Sequence, residues 1–360
     1  MFIRNNAKWA LSYRTAFITL AYFTISFLPY SSQAENLSSS EPQDTTNQNK
    51  KAKTEKLFSI FNKSKTDTTY VIRPKQNWLI RPKSNTYGYI LHIKSNIDGK
   101  KLNYAMEGNI KTTVGLSASY KGISVGFSLN PAKWFNKTKD YEYNINIYTN
   151  RIGIDFTHGK RTSMKGYIAS ERINRIDHSG IRLKNTSINA YYNFNNKKFS
   201  YPAIFSHSWI QKKSAGSFLA AITYHDTSLS ANFTSHENPL GNIHTLTKFK
   251  IRHLGIGAGY GYNFVPNQHW LLHLSAQPSI LVWKEYNMEY IDPANTKTKL
   301  NAPTKFPEIH LIGRFGITYS FKNLFIGLNG VIQHFQAGEK DNFSIGSTQW
   351  RGQLSFGIRI

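Results

Sequence analysis

A histidine next to a serine is the feature of this sequence that comes nearest to a catalytic pair. His207 is followed directly by Ser208. A serine nucleophile needs a base within hydrogen-bond reach and a third group that orients the base. Neighbouring residues of a strand point to opposite faces, so these two side chains cannot form a dyad with each other. We expect no catalytic residue and predict that the chain is not an enzyme.

Metal ions and cofactors are not predicted either. The histidines include His244, His253, His269, His273 and His310. They lack the fixed spacing of a metal site. We interpret them as side chains of a barrel lumen or of an interface. The chain has no cysteine, which excludes thiolate ligands, a cysteine nucleophile and disulfides. Residues 255–259 imitate a dinucleotide fingerprint, but they lie in an alternating strand pattern that no helix follows.

The charge of the chain is strongly basic, with 45 Lys and Arg against 20 Asp and Glu. The basic residues are scattered rather than clustered, which does not favour nucleic acid as a partner. If the chain is exported and forms an outer-membrane barrel, as the N-terminus and the strand pattern described below predict, outer-membrane lipid and the phosphates of lipopolysaccharide are the expected partners, and the identity of any solute stays open. Four arginines are candidates for the inside of a barrel, where they either bias a pore toward anions or pair with acidic residues and plug it. These are Arg252, Arg314, Arg351 and Arg359.

The N-terminus carries the features of an export signal. Arg4, Lys8 and Arg14 precede an apolar run over 16–29, and small residues stand at Ser32 and Ala34. A basic start, an apolar core and a small-x-small ending predict a signal peptide cleaved after Ala34. An uncleaved membrane anchor is the alternative, although the run is short for a spanning helix.

Four regions follow from composition and pattern. Residues 1–34 are the predicted signal peptide, and residues 35–56 are a polar segment that we interpret as a disordered periplasmic tether. Residues 57–84 are predicted to be an extended N-terminal segment and a possible plug. Residues 85–360 are predicted to form an outer-membrane barrel.

Alternation of apolar and polar residues carries the fold prediction. At the C-terminus, Leu354, Phe356 and Ile358 alternate with Gln353, Ser355, Gly357 and Arg359, and this period of two predicts strands rather than helices. Several runs exceed ten residues, and a tilted membrane-spanning strand needs about nine to eleven. Aromatic residues at the ends of these runs are typical of the girdles where a barrel meets the membrane surfaces.

The length of the patterned region sets the number of strands. A spanning strand with its loops takes roughly 20–25 residues, so residues 85–360 allow about 11 to 14 strands. Since both ends of such a barrel lie in the periplasm, the number should be even. We predict an all-β transmembrane antiparallel barrel of about 12 strands, with 14 as the alternative. The predicted extracellular loops are 232–245, 286–306 and 337–345.

Short strings give the chain a family resemblance. Tyr201-Pro202-Ala203-Ile204-Phe205-Ser206, residues 211–217 and Gly259-Tyr260-Gly261-Tyr262-Asn263-Phe264-Val265, with Tyr120-Lys121-Gly122 upstream, resemble a family of exported Gram-negative barrel proteins known only as a domain of unknown function. The resemblance covers roughly residues 70–360. It implies a signal peptide, an outer-membrane barrel and no assigned activity, so it transfers no catalytic residue.

Three functions are compatible with these patterns. The first is a pore or transporter for small solutes, and the second is an envelope scaffold. The third is a soluble secreted β-sandwich that acts as a binding protein. The alternation favours the first two, and whether the lumen is open or plugged decides between them.

Overall fold

The structure is a computed structural model that describes nine stretches of the chain. They are residues 66–97, 100–120, 123–131, 141–170, 173–230, 245–291, 296–301, 306–339 and 343–360. The predicted signal peptide (1–34) and the predicted tether (35–56) lie outside these residues. No helix in these stretches is long and apolar enough to cross a membrane.

Strands make up almost all of the described chain, with a single helical turn. The elements are β1 (Val71–Ile72), β2 (Trp78–Ile97), β3 (Lys100–Tyr120), β4 (Ile123–Leu129), β5 (Tyr141–Tyr148), β6 (Ile152–Ser170), β7 (Ile173–Asn193), helix α1 (Pro202–Phe205), β8 (Ile210–Gln211), β9 (Ala215–Ser230), β10 (Thr245–Phe264), β11 (Trp270–Ile291), β12 (Lys297–Asn301), β13 (Ile309–Phe321), β14 (Leu324–Glu339) and β15 (Phe343–Arg359).

Twelve of these strands close into an antiparallel barrel, which confirms the predicted fold class and strand number. Each strand pairs with its neighbour in sequence, and the pairings of β15 with β2 and of β10 with β11 complete the circle. The hairpin of β4 and β5 is short, and beyond it β3 pairs directly with β6. Among the described strands, β12 pairs with β11 alone, and β1 and β8 form a separate ribbon.

The ends of the barrel chain orient the barrel. Trp78 and Arg359 meet at one end, where Trp78 N–H donates to the Ile360 carbonyl over 3.0 Å. Of the five connections at this end, four are short turns, such as 322–323 between β13 and β14, and the longer one, 194–214, joins β7 to β9. The chain ends and the mostly short turns identify this end as the periplasmic end of an outer-membrane barrel.

In the periplasmic half, the apolar side chains point outward. Exposed apolar residues there include Ile256, Leu274, Phe315, Leu328 and Phe356. Their strand neighbours on the inside are buried and polar, for example Asn263, Ser275 and Ser355. An exposed apolar band of this extent requires lipid around it, so the protein is an outer-membrane barrel rather than a soluble sandwich.

Aromatic residues mark the lower edge of this band. Trp78 packs against Tyr120 with ring centroids 4.6 Å apart, and Trp270 packs against Tyr319 at 5.0 Å. All four sit at the periplasmic ends of their strands. Trp and Tyr prefer the membrane interface, so these pairs place the periplasmic lipid boundary next to the short turns.

In the extracellular half, the two faces of the strands are exchanged: apolar side chains point inward and polar side chains point outward. On β10, Phe249 and Ile251 are buried inside, while Lys248 and Lys250 lie outside. The same exchange occurs on β2, where Leu91 is buried and His92 is exposed. Inward apolar side chains from strands around the barrel form one cluster there, the extracellular core. Its members are Tyr89, Leu91, Ile93, Tyr104, Met106, Ile181, Leu183, Leu229, Phe249, Ile251, Leu281, Tyr286, Met288, Phe335, Ala337, Phe343 and Ile345.

Strand length explains this exchange. Strand β11 has 22 residues, which at about 3.3 Å per residue and a tilt near 45° rise about 50 Å. The hydrocarbon layer is only about 30 Å thick. The extracellular halves therefore stand in water, where an apolar inside and a polar outside are favourable.

The structure moves several predicted boundaries. The barrel begins at Trp78 rather than at residue 85, since β2 continues through Pro82. Pro82 has no N–H to donate, and the pairing of β15 with β2 is interrupted there, between Ser355–Lys83 and Ile358–Ile80. Much of the predicted loops 286–306 and 337–345 is strand, because β11, β14 and β15 continue beyond the lipid band.

The lipid band predicts a depth-dependent effect of charge on stability. Phe356 lies on the outer face within the band, whereas Phe321 lies on the outer face beside a periplasmic turn. Phe356→Arg should lower the free energy of unfolding in lipid vesicles more than Phe321→Arg does, because the cost of an outward cation rises from about 0–1 kcal/mol near the interface to about 2–4 kcal/mol at the midplane. Urea unfolding followed by tryptophan fluorescence measures both. Equal losses at the two positions would contradict the placement of the lipid band.

Candidate functional site

The connection between β7 and β9 folds into the periplasmic mouth of the barrel and forms a plug, residues 199–211. Every residue from Tyr201 to Trp209 is buried. Pro202 starts helix α1, whose four residues are all buried. The plug packs with inward residues of the barrel wall into an apolar cluster that includes Tyr148, Tyr191, Leu219 and Leu271. The plug therefore occupies the lumen at the periplasmic end.

Polar contacts fix the plug to the wall on several sides. Arg81 Nη1 donates to the Phe205 carbonyl over 2.5 Å, and Asn263 Nδ2 donates to the Ser200 carbonyl over 2.9 Å. The Tyr201 hydroxyl lies 2.6 Å from Ser275 Oγ. These contacts satisfy backbone and side-chain groups that would otherwise be buried without partners. The plug is thus built into the wall rather than laid over it.

Two inward glycines make room for the plug. A Cβ added at Gly316 would lie 2.5 Å from Cγ1 of Ile204, and one at Gly327 would lie 2.7 Å from His207. Both distances are shorter than atoms can approach without displacement. A side chain at either position would therefore push against the plug.

His207 and Ser208 are both part of the plug, and their side chains serve different partners. His207 Nε2 lies 3.3 Å from Ser355 Oγ, whereas Ser208 Oγ lies 2.8 Å from Ser206 Oγ. Burial lowers the pKa of His207 well below its usual range, and the nearby charges of Arg81 and Arg359 lower it further. His207 is therefore neutral at pH 7 and packs against Phe325.

Strand β1 pairs with β8, the last part of the plug, and covers the plug from the periplasmic side. Val71 pairs with Gln211 and Ile72 with Ile210, and Val71 is fully buried. This differs from the prediction of residues 57–84 as an extended segment and possible plug, because residues 78–84 belong to the barrel wall and residues 57–65 lie outside the described residues. The described part before Trp78 supplies the cover, and the lumen is filled by residues 199–211.

Above the plug, an ion pair crosses the lumen. Arg314 Nη2 on β13 lies 3.0 Å from Asp155 Oδ2 on β6, and these strands are nearly opposite each other in the barrel order. The guanidinium also lies 5.7 Å from the ring centroid of Tyr191 and 5.9 Å from that of Tyr201. The charge of Arg314 is thus neutralised by Asp155, and its guanidinium stacks on the two tyrosine rings. Through these contacts Arg314 connects two nearly opposite strands of the wall with Tyr201 of the plug.

The other three candidate arginines do not share one site. Arg351 lies inside, where its Nη1 donates to Asn144 Oδ1 over 2.6 Å. Arg359 is also buried inside, 5.0 Å from the ring centroid of Phe325. Arg252 lies outside, where it forms a half-exposed ion pair of 3.0 Å with Glu285. The prediction that Arg252 faces the lumen is wrong. Even-numbered residues of β10, such as Ile256 and Tyr260, face outward, and Arg252 is one of them.

Hydrogen bonds also span the middle of the lumen. Asn185 Nδ2 on β7 donates to Gln349 Oε1 on β15 over 3.1 Å, and these strands lie half-way round the barrel from each other. Beyond them, Phe249 and Phe343 of the extracellular core lie 5.9 Å apart across non-neighbouring strands. Side chains therefore connect opposite walls at successive levels from the plug to the core.

The structure brings together two of the histidines that the sequence left scattered. His253 and His310 lie beside His225, which sequence reasoning did not single out, and all three are buried. His273 instead contacts Asn263 and Ser275 next to the plug, and His269 lies at an exposed periplasmic turn. His244 lies outside the described residues. The three clustered histidines belong to three strands, so only the barrel pairing could reveal their proximity.

Comparison by sequence gives the family. Residues 65–359 match DUF4421, a domain of unknown function. The match covers most of the chain, so the chain belongs to this family, which confirms the resemblance found in its sequence. No curated protein sequence matches the chain.

Comparison by structure gives outer-membrane barrels. The outer-membrane protease OmpT from Escherichia coli has 9% sequence identity and a TM-score of 0.45, over 80% of this chain and 98% of that chain. The outer-membrane protein OprG from Pseudomonas aeruginosa has 10% identity and a TM-score of 0.31, over 79% and 95%. The translocator domain of the autotransporter NalP from Neisseria meningitidis has 12% identity and a TM-score of 0.35, over 87% and 98%. None of these similarities transfers an activity to this chain.

The wall glycines that contact the plug predict which substitutions displace it. Gly316→Val should destabilise the packed plug by about 1–3 kcal/mol, because the new side chain overlaps Ile204. Gly313→Val on the same strand is the control, since a Cβ there meets nothing closer than 4.0 Å. Amide hydrogen exchange of residues 199–211 measures the effect. Faster exchange in G316V but not in G313V is expected, and equal exchange in both would refute the fit.

Proposed function

We propose that this member of the DUF4421 family is a closed outer-membrane barrel that acts as an envelope scaffold rather than as an open pore. The observation that carries this proposal is the filling of the lumen at successive levels. The plug fills the periplasmic mouth, the Arg314–Asp155 pair crosses above it, and the extracellular core fills the far half.

The plug and the extracellular core close the lumen in different ways, and this difference distinguishes a scaffold from a gated pore. The plug belongs to a connection and could in principle leave the lumen as one segment. The extracellular core is made of side chains such as Leu91, Phe249 and Phe335, which belong to the wall itself. A path through the barrel would require both to rearrange, and the second would expose a large apolar surface to water.

Outward basic residues support an anionic lipid as the partner of this scaffold. Just above the lipid band, one row of residues crosses four neighbouring strands. In the strand register, Lys160 stands opposite Lys184, Lys184 opposite Ser228, and Ser228 opposite Lys250. None of these three lysines has an ion pair with a residue that the structure describes. A row of cations at this height suits the phosphates of lipopolysaccharide in the outer leaflet.

The basic row predicts a loss of lipid binding on neutralisation. Lys160→Gln, Lys184→Gln and Lys250→Gln together should weaken lipopolysaccharide binding by up to about 100-fold, at about 1 kcal/mol per cation. Lys212→Gln and Lys213→Gln, at the periplasmic end, form the control pair. Binding to purified lipopolysaccharide in detergent, measured at two salt concentrations, tests this. Equal weakening by both sets would contradict a specific row.

Conductance in planar bilayers tests the scaffold itself. We expect no channels from the purified chain, and none when residues 199–211 are replaced by a Gly/Ser linker of equal length, because the extracellular core still fills the lumen. Heat-modifiable gel migration confirms that each variant is folded. Steady channels from the unaltered chain would overturn the proposal. Channels only after the replacement would show that the plug alone closes a pore.

A further inference from the structure

Three buried histidines meet where the polar lumen ends and the extracellular core begins. His225 on β9, His253 on β10 and His310 on β13 are only 5%, 3% and 2% exposed. His225 and His253 stand opposite each other in the pairing of β9 with β10. His310 reaches the pair from β13, which is the strand beyond β11 in the barrel order.

The imidazole rings face one another closely. Ring centroids lie 5.0 Å apart for His225 and His253, 4.4 Å for His225 and His310, and 5.5 Å for His253 and His310. One ring nitrogen of each lies within 4.8 Å of those of the other two. Two nitrogen ligands of a tetrahedral zinc ion are about 3.4 Å apart when the Zn–N distances are near 2.0–2.1 Å. Side-chain shifts of about 1 Å would therefore complete such a set.

Four of the six ring nitrogens lack a hydrogen-bond partner among the described residues. His225 Nε2, His310 Nδ1 and both ring nitrogens of His253 are buried without one among the described residues. A buried polar atom with no partner is costly, and buried groups of this kind are rare singly. Four such nitrogens on three adjoining rings indicate that they share one bound partner.

A small cavity adjoins the rings and has polar walls. Its volume is about 20 Å³, and its lining includes Thr227, Gln333, Ser347 and Gln349. Such a volume holds one water molecule. Gln333 Oε1 is also buried without a hydrogen-bond partner in the part of the chain that the structure describes, so it is available to a water molecule or to an ion in this cavity.

We propose that His225, His253 and His310 bind a divalent transition-metal ion, with a fourth position toward the cavity beside Gln333. Neutral imidazoles suit zinc, copper, nickel and cobalt ions, whereas calcium and magnesium require oxygen ligands. Among the described residues that line this cavity there is no carboxylate, which favours the imidazole-binding metals. The ion would join β9, β10 and β13 at the level where the lumen changes from polar to apolar.

Cobalt and zinc binding test this site directly. The untagged mature chain is purified in detergent, stripped with EDTA and titrated with Co²⁺ and with Zn²⁺. We expect one ion per chain, a visible cobalt absorption band typical of four-coordinate nitrogen ligation, and loss of that band when Zn²⁺ is added. Absence of stoichiometric binding to the folded chain would overturn the proposal.

Single substitutions then assign the ligands. His225→Asn, His253→Asn and His310→Asn should each weaken binding at least about tenfold, since even loss of an outer-shell partner weakens a metal site by about 10–100-fold. His273→Asn is the matched control, because His273 is a buried lumenal histidine that is hydrogen-bonded to Asn263 and Ser275. Heat-modifiable migration identifies the folded variants. Binding that persists in all three folded variants, or that falls equally in H273N, would place the metal elsewhere.

Discussion

The exchange of faces along the long strands of the barrel is the constraint on which the rest of this structure depends. A strand that is longer than the membrane is thick passes from lipid into water, and the two solvents require opposite outer surfaces. On β10 the outward residues change from Tyr260 and Ile256 to Lys250 and Lys248, while the inward residues change from Asn263 to Ile251. One barrel thereby combines a membrane half with a polar lumen and an extramembrane half with an apolar core.

The exchange also determines how the lumen is filled. In the membrane half the inward side chains are polar or charged, and a buried charge is costly unless it is paired or hydrogen-bonded, as Arg314 is with Asp155 and Arg81 with the Phe205 carbonyl. The plug supplies apolar bulk and hydrogen-bond partners to this half. In the other half the wall fills the lumen without a plug. His225, His253 and His310 lie at the boundary between these two fillings, where four of their six ring nitrogens have no hydrogen-bond partner among the described residues.

Local pattern explains what the sequence could predict. The alternation around Leu354 and Phe356 fixes the strand and its outer face, and the total length fixes about twelve strands. The plug was not predicted because residues 199–211 contain no period that distinguishes a lumenal segment from a short strand. The contacts of Arg314 with Asp155 and of the three histidines depend on which strands face each other across a closed barrel, and no spacing along the chain records that geometry. Arg252 was misplaced although its parity along β10 already pointed outward.

The absence of native cysteine allows the exchange of faces to be measured by single-cysteine labelling of β10. Five variants, Lys248→Cys, Lys250→Cys, Ile251→Cys, Ile256→Cys and Tyr260→Cys, are treated in lipid vesicles with a membrane-impermeant maleimide. Rapid labelling at Lys248 and Lys250 is expected, with protection of Ile251 by the core and of Ile256 and Tyr260 by lipid. Rapid labelling of the Ile251 variant together with protection of the Lys250 variant would contradict the account, because the faces would then not exchange.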